Sequence, residues 1–164
     1  MKIAIEVRDY GTMIAELYPE KAPKTVENFL SLIDRKFFDG LIFHRTIPGF
    51  MIQGGGFDEQ MNQKHANAIY GEFAANGFPE NDIVHTRGVL SMARTMDPNS
   101  ASSQFFVMHD DAPHLNGQYA AFGQVIEGLE VIDAIATVPT GSYGYHQDVP
   151  RFPVIIETVK RLED

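Results

Sequence analysis

The apolar residues of this chain fall in short alternating or β-branched runs broken by turns, and only two stretches carry a helical stripe. That spacing is the tightest constraint on its fold. Ile3, Ile5 and Val7 alternate with polar or small neighbours. After the turn Asp9-Tyr10-Gly11, Met13, Ala15 and Leu17 resume the period of two, which makes a hairpin. Further strands are expected over 41–45, 50–54, 89–94, 105–109, 120–125 and 154–162. Ala22, Val26, Phe29, Leu30 and Ile33 instead recur as one face of a helix. Pro23 stands in its first turn, where the missing N–H is harmless, and Arg35 and Lys36 suit its C-terminal end. A second, shorter helix fits 129–136, with Leu129, Ile132 and Ala136 on one side. Residues 58–82 read as an extended surface loop with one short strand near 68–70, and 139–153 as loop. Seven or eight strands without βαβ alternation point to a mainly β chain, one closed antiparallel sheet in a single domain over 1–164.

Composition removes several function classes. Without cysteine there is no thiolate nucleophile, no disulfide framework and no zinc site built on sulfur. Thirteen basic against 22 acidic residues leave a net charge of −9, the wrong sign for nucleic acid as a partner. Glu6 and Arg8 interrupt the N-terminal apolar run, so no signal peptide is expected there. No apolar run approaches the ~20 residues of a membrane helix. The expectation is a cytoplasmic chain with no membrane partner.

The familiar catalytic motifs are also missing. Gly54-Gly55-Gly56 is followed by Glu59 where a dinucleotide loop needs glycine, and no Gly-Lys dipeptide exists for a P-loop. The better reading is that these glycines let a strand bulge or approach another backbone. The histidines at 44, 65, 85, 109, 114 and 146 form no i,i+4 pair, so no metal is expected. Ser91, Ser100, Ser102 and Ser103 lie in no nucleophile elbow, and the serines near Pro98 suit turn hydrogen bonding. What remains is the dense run 43–57. There Phe50, Ile52 and Gly54 would share one strand face, and Met51, Gln53 and Gly55 the other. A Gln on such a strand needs a partner, and Arg45 can supply it across the Pro48-Gly49 turn. A ligand site and ordinary packing both stay open at this level.

Phe43-His44-Arg45-x-Ile47-Pro48-Gly49-Phe50-Met51-x-Gln53-Gly54-Gly55 closely resembles the signature of the cyclophilins, the peptidyl-prolyl cis–trans isomerases. The resemblance continues in order through Ala22-Pro23-Lys24-Thr25-Val26-Glu27-Asn28-Phe29, Leu90-Ser91-Met92-Ala93-Arg94, Ser103-Gln104-Phe105-Phe106 and Phe122-Gly123-Gln124-Val125 with Gly128. Met92-Ala93-Arg94-Thr95 and His146-Gln147-Asp148-Val149-Pro150 are most like the compact bacterial cytoplasmic branch.

The resemblance implies a closed eight-stranded antiparallel β-barrel capped by two α-helices, with a substrate groove on its outer surface. It makes Arg45 the catalytic arginine, with Gln53 and Phe50 beside it, and implies neither cofactor nor metal. Phe50, Met51, Phe106 and Leu115 become the proline pocket, while Gln53, Ala93, Arg94 and Gln104 line the peptide groove. Tyr119 stands where the family often has a rim histidine, and His114 where many members have the tryptophan associated with cyclosporin, which implies weak cyclosporin binding. Residues 58–68 lack the Gly-Thr-Gly-Gly of many relatives, so recognition of residues before proline is expected to differ. The implied activity is isomerisation of X–Pro bonds in client proteins by a monomer that assists folding. The alternative is a non-catalytic chaperone or adaptor of the same fold that binds proline peptides. Because substrates are segments of other proteins, exposed apolar side chains are expected at Phe50 and Leu115.

Overall fold

The structure, a computed structural model, describes residues 1–163. In chain order its elements are β1 (Lys2–Val7), β2 (Gly11–Leu17), α1 (Pro23–Asp34), β3 (Leu41–Ile47), β4 (Met51–Asp58), β5 (Val89–Met92), β6 (Phe105–Met108), β7 (Ala121–Glu127), α2 (Leu129–Ala136), β8 (Thr140–Tyr143), β9 (His146–Pro150) and β10 (Ile156–Leu162). Single 3₁₀ turns occur at Ala74–Asn76 and Pro113–Leu115. Eight strands form one antiparallel sheet in the order β10-β1-β2-β7-β5-β6-β4-β3, and β8 pairs with β9 alone.

The sheet curls until its edge strands meet, but the seam is not a ladder. It consists of an isolated bridge between Ile42 and Ile155, flanked by bonds from the Phe43 N–H to the Val154 carbonyl (3.0 Å) and from the Gly40 N–H to the Ile156 carbonyl (2.9 Å). Pro153, beside the bridge, has no N–H to donate. The fully closed barrel expected from the sequence is therefore corrected to a mainly β, curled eight-stranded sheet with two helices.

Period-two alternation sends Ile3, Ile5, Met13, Ala15, Phe43, Ile52, Leu90, Phe105, Val107 and Phe122 to the inner face. Helix α1 adds Val26, Phe29, Leu32 and Ile33 to the same core, and α2 adds Val131, Ile132 and Ile135. The Phe29 ring sits 5.0 Å from Phe38, 5.3 Å edge-on to Phe105 and 4.9 Å from Phe122, so α1 plugs the curl with aromatic contacts. Each fully buried side chain of this kind contributes about 1.5–3 kcal/mol of transfer free energy.

The start of α1 is fixed from far along the chain. Its N-cap, Ala22, offers no side-chain acceptor. Instead the buried Glu72 carboxylate accepts from the Thr25 N–H (2.7 Å), the Thr25 hydroxyl (2.7 Å) and the Lys24 N–H (3.2 Å). A carboxylate at that position satisfies orphan donors and complements the helix dipole.

Two local expectations fail. No strand forms at 68–70, and 140–150 is a hairpin rather than loop, turning through Gly144 at φ +60°. The hairpin residues Thr-Gly-Ser-Tyr and His-Gln-Asp-Val-Pro carry no apolar alternation; β9 packs on β3 and β4 through the His146 ring, 6.3 Å from that of His44 and 5.1 Å from that of Phe57. Strand β4 begins at Met51, one residue later than expected. Pro48, Gly49 and Phe50 form a three-residue hairpin loop, closed by the Phe50 N–H on the Ile47 carbonyl at 3.0 Å, with Gly49 at φ +79°.

Candidate active site

The outer face of the sheet carries a second apolar cluster of Met51, Val89, Phe106, Met108, Ala112, Leu115 and Ala121. Sheet register explains its chemistry. Arg45 on β3 stands opposite Gln53 on β4, Gln53 opposite Phe106 on β6, and Phe106 opposite Ser91 on β5. Directly paired residues project to one face, so a guanidinium, an amide, a phenyl ring and a hydroxyl form a single row across four strands.

Arg45, Phe50, Met51, Gln53, Ala93, Arg94, Phe106, Leu115 and Tyr119 enclose a cavity of about 150 Å³. Pockets that enclose drug-sized ligands run to roughly 300–1,000 Å³, so this one has room for about one side chain or small ring. Leu115 comes from the 3₁₀ turn, and Tyr119 meets the Phe106 ring edge-on at 5.7 Å. A second cavity of about 180 Å³ adjoins the first through Gln53, Ala93 and Arg94, and is completed by Gln63, Thr95, Ser100, Ser102 and Gln104.

The two arginines differ in how they are held. Arg94 is committed: its Nε and Nη2 donate to the Gln118 carbonyl (3.3 and 2.8 Å) and its Nη1 to the Thr95 carbonyl (2.9 Å). Its guanidinium lies 4.9 Å from the Phe73 ring centroid and 4.7 Å from that of Tyr119, a wall built by stacking. Arg45 is exposed, and among the described residues it makes one side-chain hydrogen bond, from Nη1 to Gln53 Oε1, long at 3.4 Å. Gln53 in turn donates from Nε2 to Gln104 Oε1 at 3.1 Å. Gln104 lies across Gly56, where any Cβ would come within 2.4 Å of its Cγ. Gly55, at φ +89°, adopts a backbone that only glycine enters freely. The triple glycine thus serves close approach, as the sequence suggests.

Of the eleven residues singled out from sequence, nine line the first cavity. Gln104 lines the second, and His114 lies outside both, its ring 5.9 Å from that of Phe50. The expectation of exposed apolar groups needs correction, since Phe50 is half-buried and Leu115 only 8% exposed. The pocket walls are packed by their neighbours and open only toward the cavity. Phe50 also does not share the face of Ile52. Lying in the hairpin loop, it packs with the Met51 cluster, because the strand's alternation has not yet begun.

Sequence reasoning missed the groups behind these walls. The His85 ring stacks on Phe106 at 6.0 Å, and its Nε2 faces the Ser91 hydroxyl at 2.8 Å. Asn116 Oδ1, an acceptor only, takes the Nδ1 proton at 3.3 Å, so the Ser91 hydroxyl donates to Nε2. Burial pushes the His85 pKa down against the opposing Asn116 bond, which keeps the ring neutral behind the phenyl. His44, beside Arg45 in sequence, is 5% exposed, and among the described residues its Nδ1 has no hydrogen-bond partner. Burial first, then the charges of His146 and Arg45, lower its pKa to about 4. Among the described residues no cluster of three His, Cys, Asp or Glu side chains is placed to hold a metal ion.

Comparison with known proteins gives a consistent outcome. A family model described as cyclophilin-type peptidyl-prolyl cis–trans isomerase matches residues 2–161. The chain is 48% identical to a peptidyl-prolyl cis–trans isomerase of Acinetobacter baylyi over 155 residues, covering 92% of this chain and 80% of that one. It is 43% identical to peptidyl-prolyl cis–trans isomerase B of Escherichia coli over 159 residues, 92% and 94% of the two chains. A crystal structure of a Cryptosporidium parvum cyclophilin-type isomerase, determined in the presence of the dipeptide Ala-Pro, superposes over the full length of both chains with a TM-score of 0.83 at 30% identity.

Proposed function

The chain belongs to the cyclophilin-type peptidyl-prolyl cis–trans isomerase family, and on that premise we propose that it turns X–Pro bonds of other proteins in the Phe106 cavity, with Arg45 as the catalytic residue. The observation that carries this reading is the contrast between the two guanidinium groups beside the cavity. Arg94 spends its donors on two backbone carbonyls, whereas Arg45 keeps all but one of its five for a substrate.

An X–Pro bond resists rotation by about 18–20 kcal/mol, because the nitrogen lone pair is delocalised into the carbonyl. Catalysis requires only that the half-rotated amide be bound better than either planar form. Once rotated, the prolyl nitrogen recovers its lone pair and becomes a hydrogen-bond acceptor. Arg45 can then donate to that nitrogen or to the neighbouring carbonyl oxygen, and it stays charged at any working pH. Phe50, Met51, Phe106 and Leu115 hold the pyrrolidine ring still while the preceding residue turns. Gln53, bonded to both Arg45 and Gln104, orients the guanidinium. A thousandfold acceleration needs about 4 kcal/mol of preference, at about 1.4 kcal/mol per factor of ten. One charge-assisted hydrogen bond with apolar anchoring is of that size.

Peptide segments before the proline would run across the second cavity, whose Gln63, Thr95 and Gln104 offer polar partners. Client proteins containing exposed proline are the partners this supports, and assistance to folding is the role. His114 beside Phe50 supports weak cyclosporin binding, since an imidazole offers less flat surface than an indole. We read the chain as one domain, monomeric and cytoplasmic, without nucleic-acid or membrane partners. The acidic balance speaks against a nucleic-acid partner, and no helix among the described residues is long and apolar enough to cross a membrane.

The test is cis–trans exchange of a proline peptide followed by NMR. The wild-type chain should accelerate exchange, and Arg45→Ala should lose at least about ten-fold in kcat/KM, the worth of one charge-assisted bond, with unchanged circular dichroism. A silent wild type would refute the activity, and an undiminished Arg45→Ala would refute the assignment of Arg45.

A further inference from the structure

The loop Pro48-Gly49-Phe50 joins the strand that carries Arg45 to the strand that carries Met51 and Gln53, and its Phe50 walls the cavity. Its Gly49 N–H and Phe50 carbonyl both turn to the segment that begins at His109. The Gly49 N–H donates to His109 Nδ1 at 2.8 Å, and the Phe50 carbonyl accepts from the His109 N–H at 2.9 Å and, more weakly, from the Asp110 N–H at 3.4 Å.

The imidazole is itself held at both nitrogens. Because Nδ1 accepts from Gly49, the ring proton sits on Nε2 and points at Asp133 Oδ1, 3.1 Å away on α2. Asp133 is gripped bidentately by Arg87 (2.6 and 2.9 Å), whose Nη1 also donates to the His109 carbonyl at 3.1 Å. Arg87 holds the Asp133 carboxyl below the usual carboxylate range, which keeps it an acceptor for the histidine. None of His109, Asp133 or Arg87 lines either cavity beside Arg45. The chain of bonds therefore runs from helix α2 to the back of the loop that forms one wall of the proline pocket.

We propose that His109 is a positioning residue of the isomerase site, locking the 48–50 loop through the Gly49 amide and the Phe50 carbonyl so that Phe50 closes the pocket beside Arg45. The inference rests on the isomerase reading above and adds a residue to it. The lock works only with a neutral ring. A second proton turns Nδ1 into a donor facing the donor N–H of Gly49, and that bond is lost while the bond to Asp133 is kept. The charges around the ring are Asp133 on α2, Arg87 on the segment before β5, and Asp110 and Asp111 in its own loop; the 48–50 loop brings none. Loosening Phe50 weakens the seat of the proline ring in ground and transition states alike, so the loss falls on KM rather than kcat.

The test uses the full chain as wild type, His109→Asn and His109→Leu. The Asn oxygen stands in for Nδ1 as acceptor and does not titrate, whereas Leu offers no acceptor. At about pH 7.5, His109→Leu should raise KM roughly five-fold with kcat within about two-fold, and His109→Asn should stay within about two-fold of wild type in both. At the same pH the Gly49 amide should be protected from hydrogen exchange in wild type and His109→Asn, and should exchange at least about five-fold faster in His109→Leu. Equal losses in Asn and Leu, a KM unaffected by Leu, or a Gly49 amide that exchanges equally slowly in wild type and Leu would each overturn the proposal. An inactive wild type would instead refute the isomerase reading, and Gly49 exchange would still decide whether the lock exists. If His109→Leu does not fold, His109→Ala, which also lacks an acceptor, takes its place.

Discussion

Replacing Glu72 by Ala should cut stability deeply without touching the reacting groups. Its carboxylate is the shared acceptor for the Thr25 N–H, the Thr25 hydroxyl and the Lys24 N–H. Thr25 is fully buried, so its two donors lose their acceptor with no water in reach. An orphaned buried donor costs about 1–3 kcal/mol, and loss of a negative charge at a helix N-terminus about 0.3–1 kcal/mol. The Lys24 N–H is only part-buried and can be rehydrated. The total is about 2–7 kcal/mol, set against the 5–15 kcal/mol at which native domains typically stand. With a urea slope of about 2 kcal/mol/M, the midpoint should fall by roughly 1–3.5 M. The chain has no tryptophan, so the assay is far-UV circular dichroism in urea. Glu72→Gln keeps an oxygen in the place of Oε1, which accepts both Thr25 donors, so it should lose only about 1 kcal/mol through the missing charge and the Lys24 bond. The reacting residues are untouched, although the neighbouring Phe73 ring lies under the Arg94 guanidinium. Activity below the melting transition should therefore change mainly in KM. A midpoint shift below about 0.3 M in Glu72→Ala would mean that the helix is held by its apolar face alone.

His44, with a pKa of about 4 in the folded chain against an ordinary 6.5, binds its proton more readily when unfolded. Its contribution is complete above pH 6.5 and is lost as pH falls toward 4, about 3 kcal/mol over that window. Urea midpoints at several pH values should show this slope in wild type and a shallower one in His44→Phe. Gly56→Ala places a methyl against the flexible side chain of Gln104, which should swing away from Gln53. Peptide KM should rise a few-fold while the thermal midpoint moves by only about 2–4 °C, the shift that roughly 1 kcal/mol gives at this size. An unchanged KM would remove Gln104 from the groove.

Much of this site is written locally. The hairpin from β3 to β4 closes through three residues with a glycine at positive φ, which sets Arg45 opposite Gln53, the partnership expected from an amide on a strand face. The helices were legible because 3.6-residue periodicity is a property of consecutive residues. The strand at 68–70 and the loop at 139–153 were misread for the opposite reason. At 68–70 a single backbone bond, from the Ile69 N–H to the Ala101 carbonyl (2.8 Å), builds no ladder, whereas the polar segments at 140–150 pair with each other. Leu115 was expected to be exposed because its role is to meet a ligand, but the walls around it hide all of it except the cavity side.

Spacing and residue type were enough to choose a mainly β chain with two helices, since those depend on bonds between near neighbours. Sheet order was needed for the rest. It lined up Arg45, Gln53 and Phe106 in one row, committed Arg94 to carbonyls while leaving Arg45 open, and brought Glu72 to a helix 47 residues away. It also placed His109 behind the 48–50 loop, 60 residues from Gly49. Hydrogen bonds between residues so far apart along the chain exist only after the strands between them have paired, so no local pattern records them.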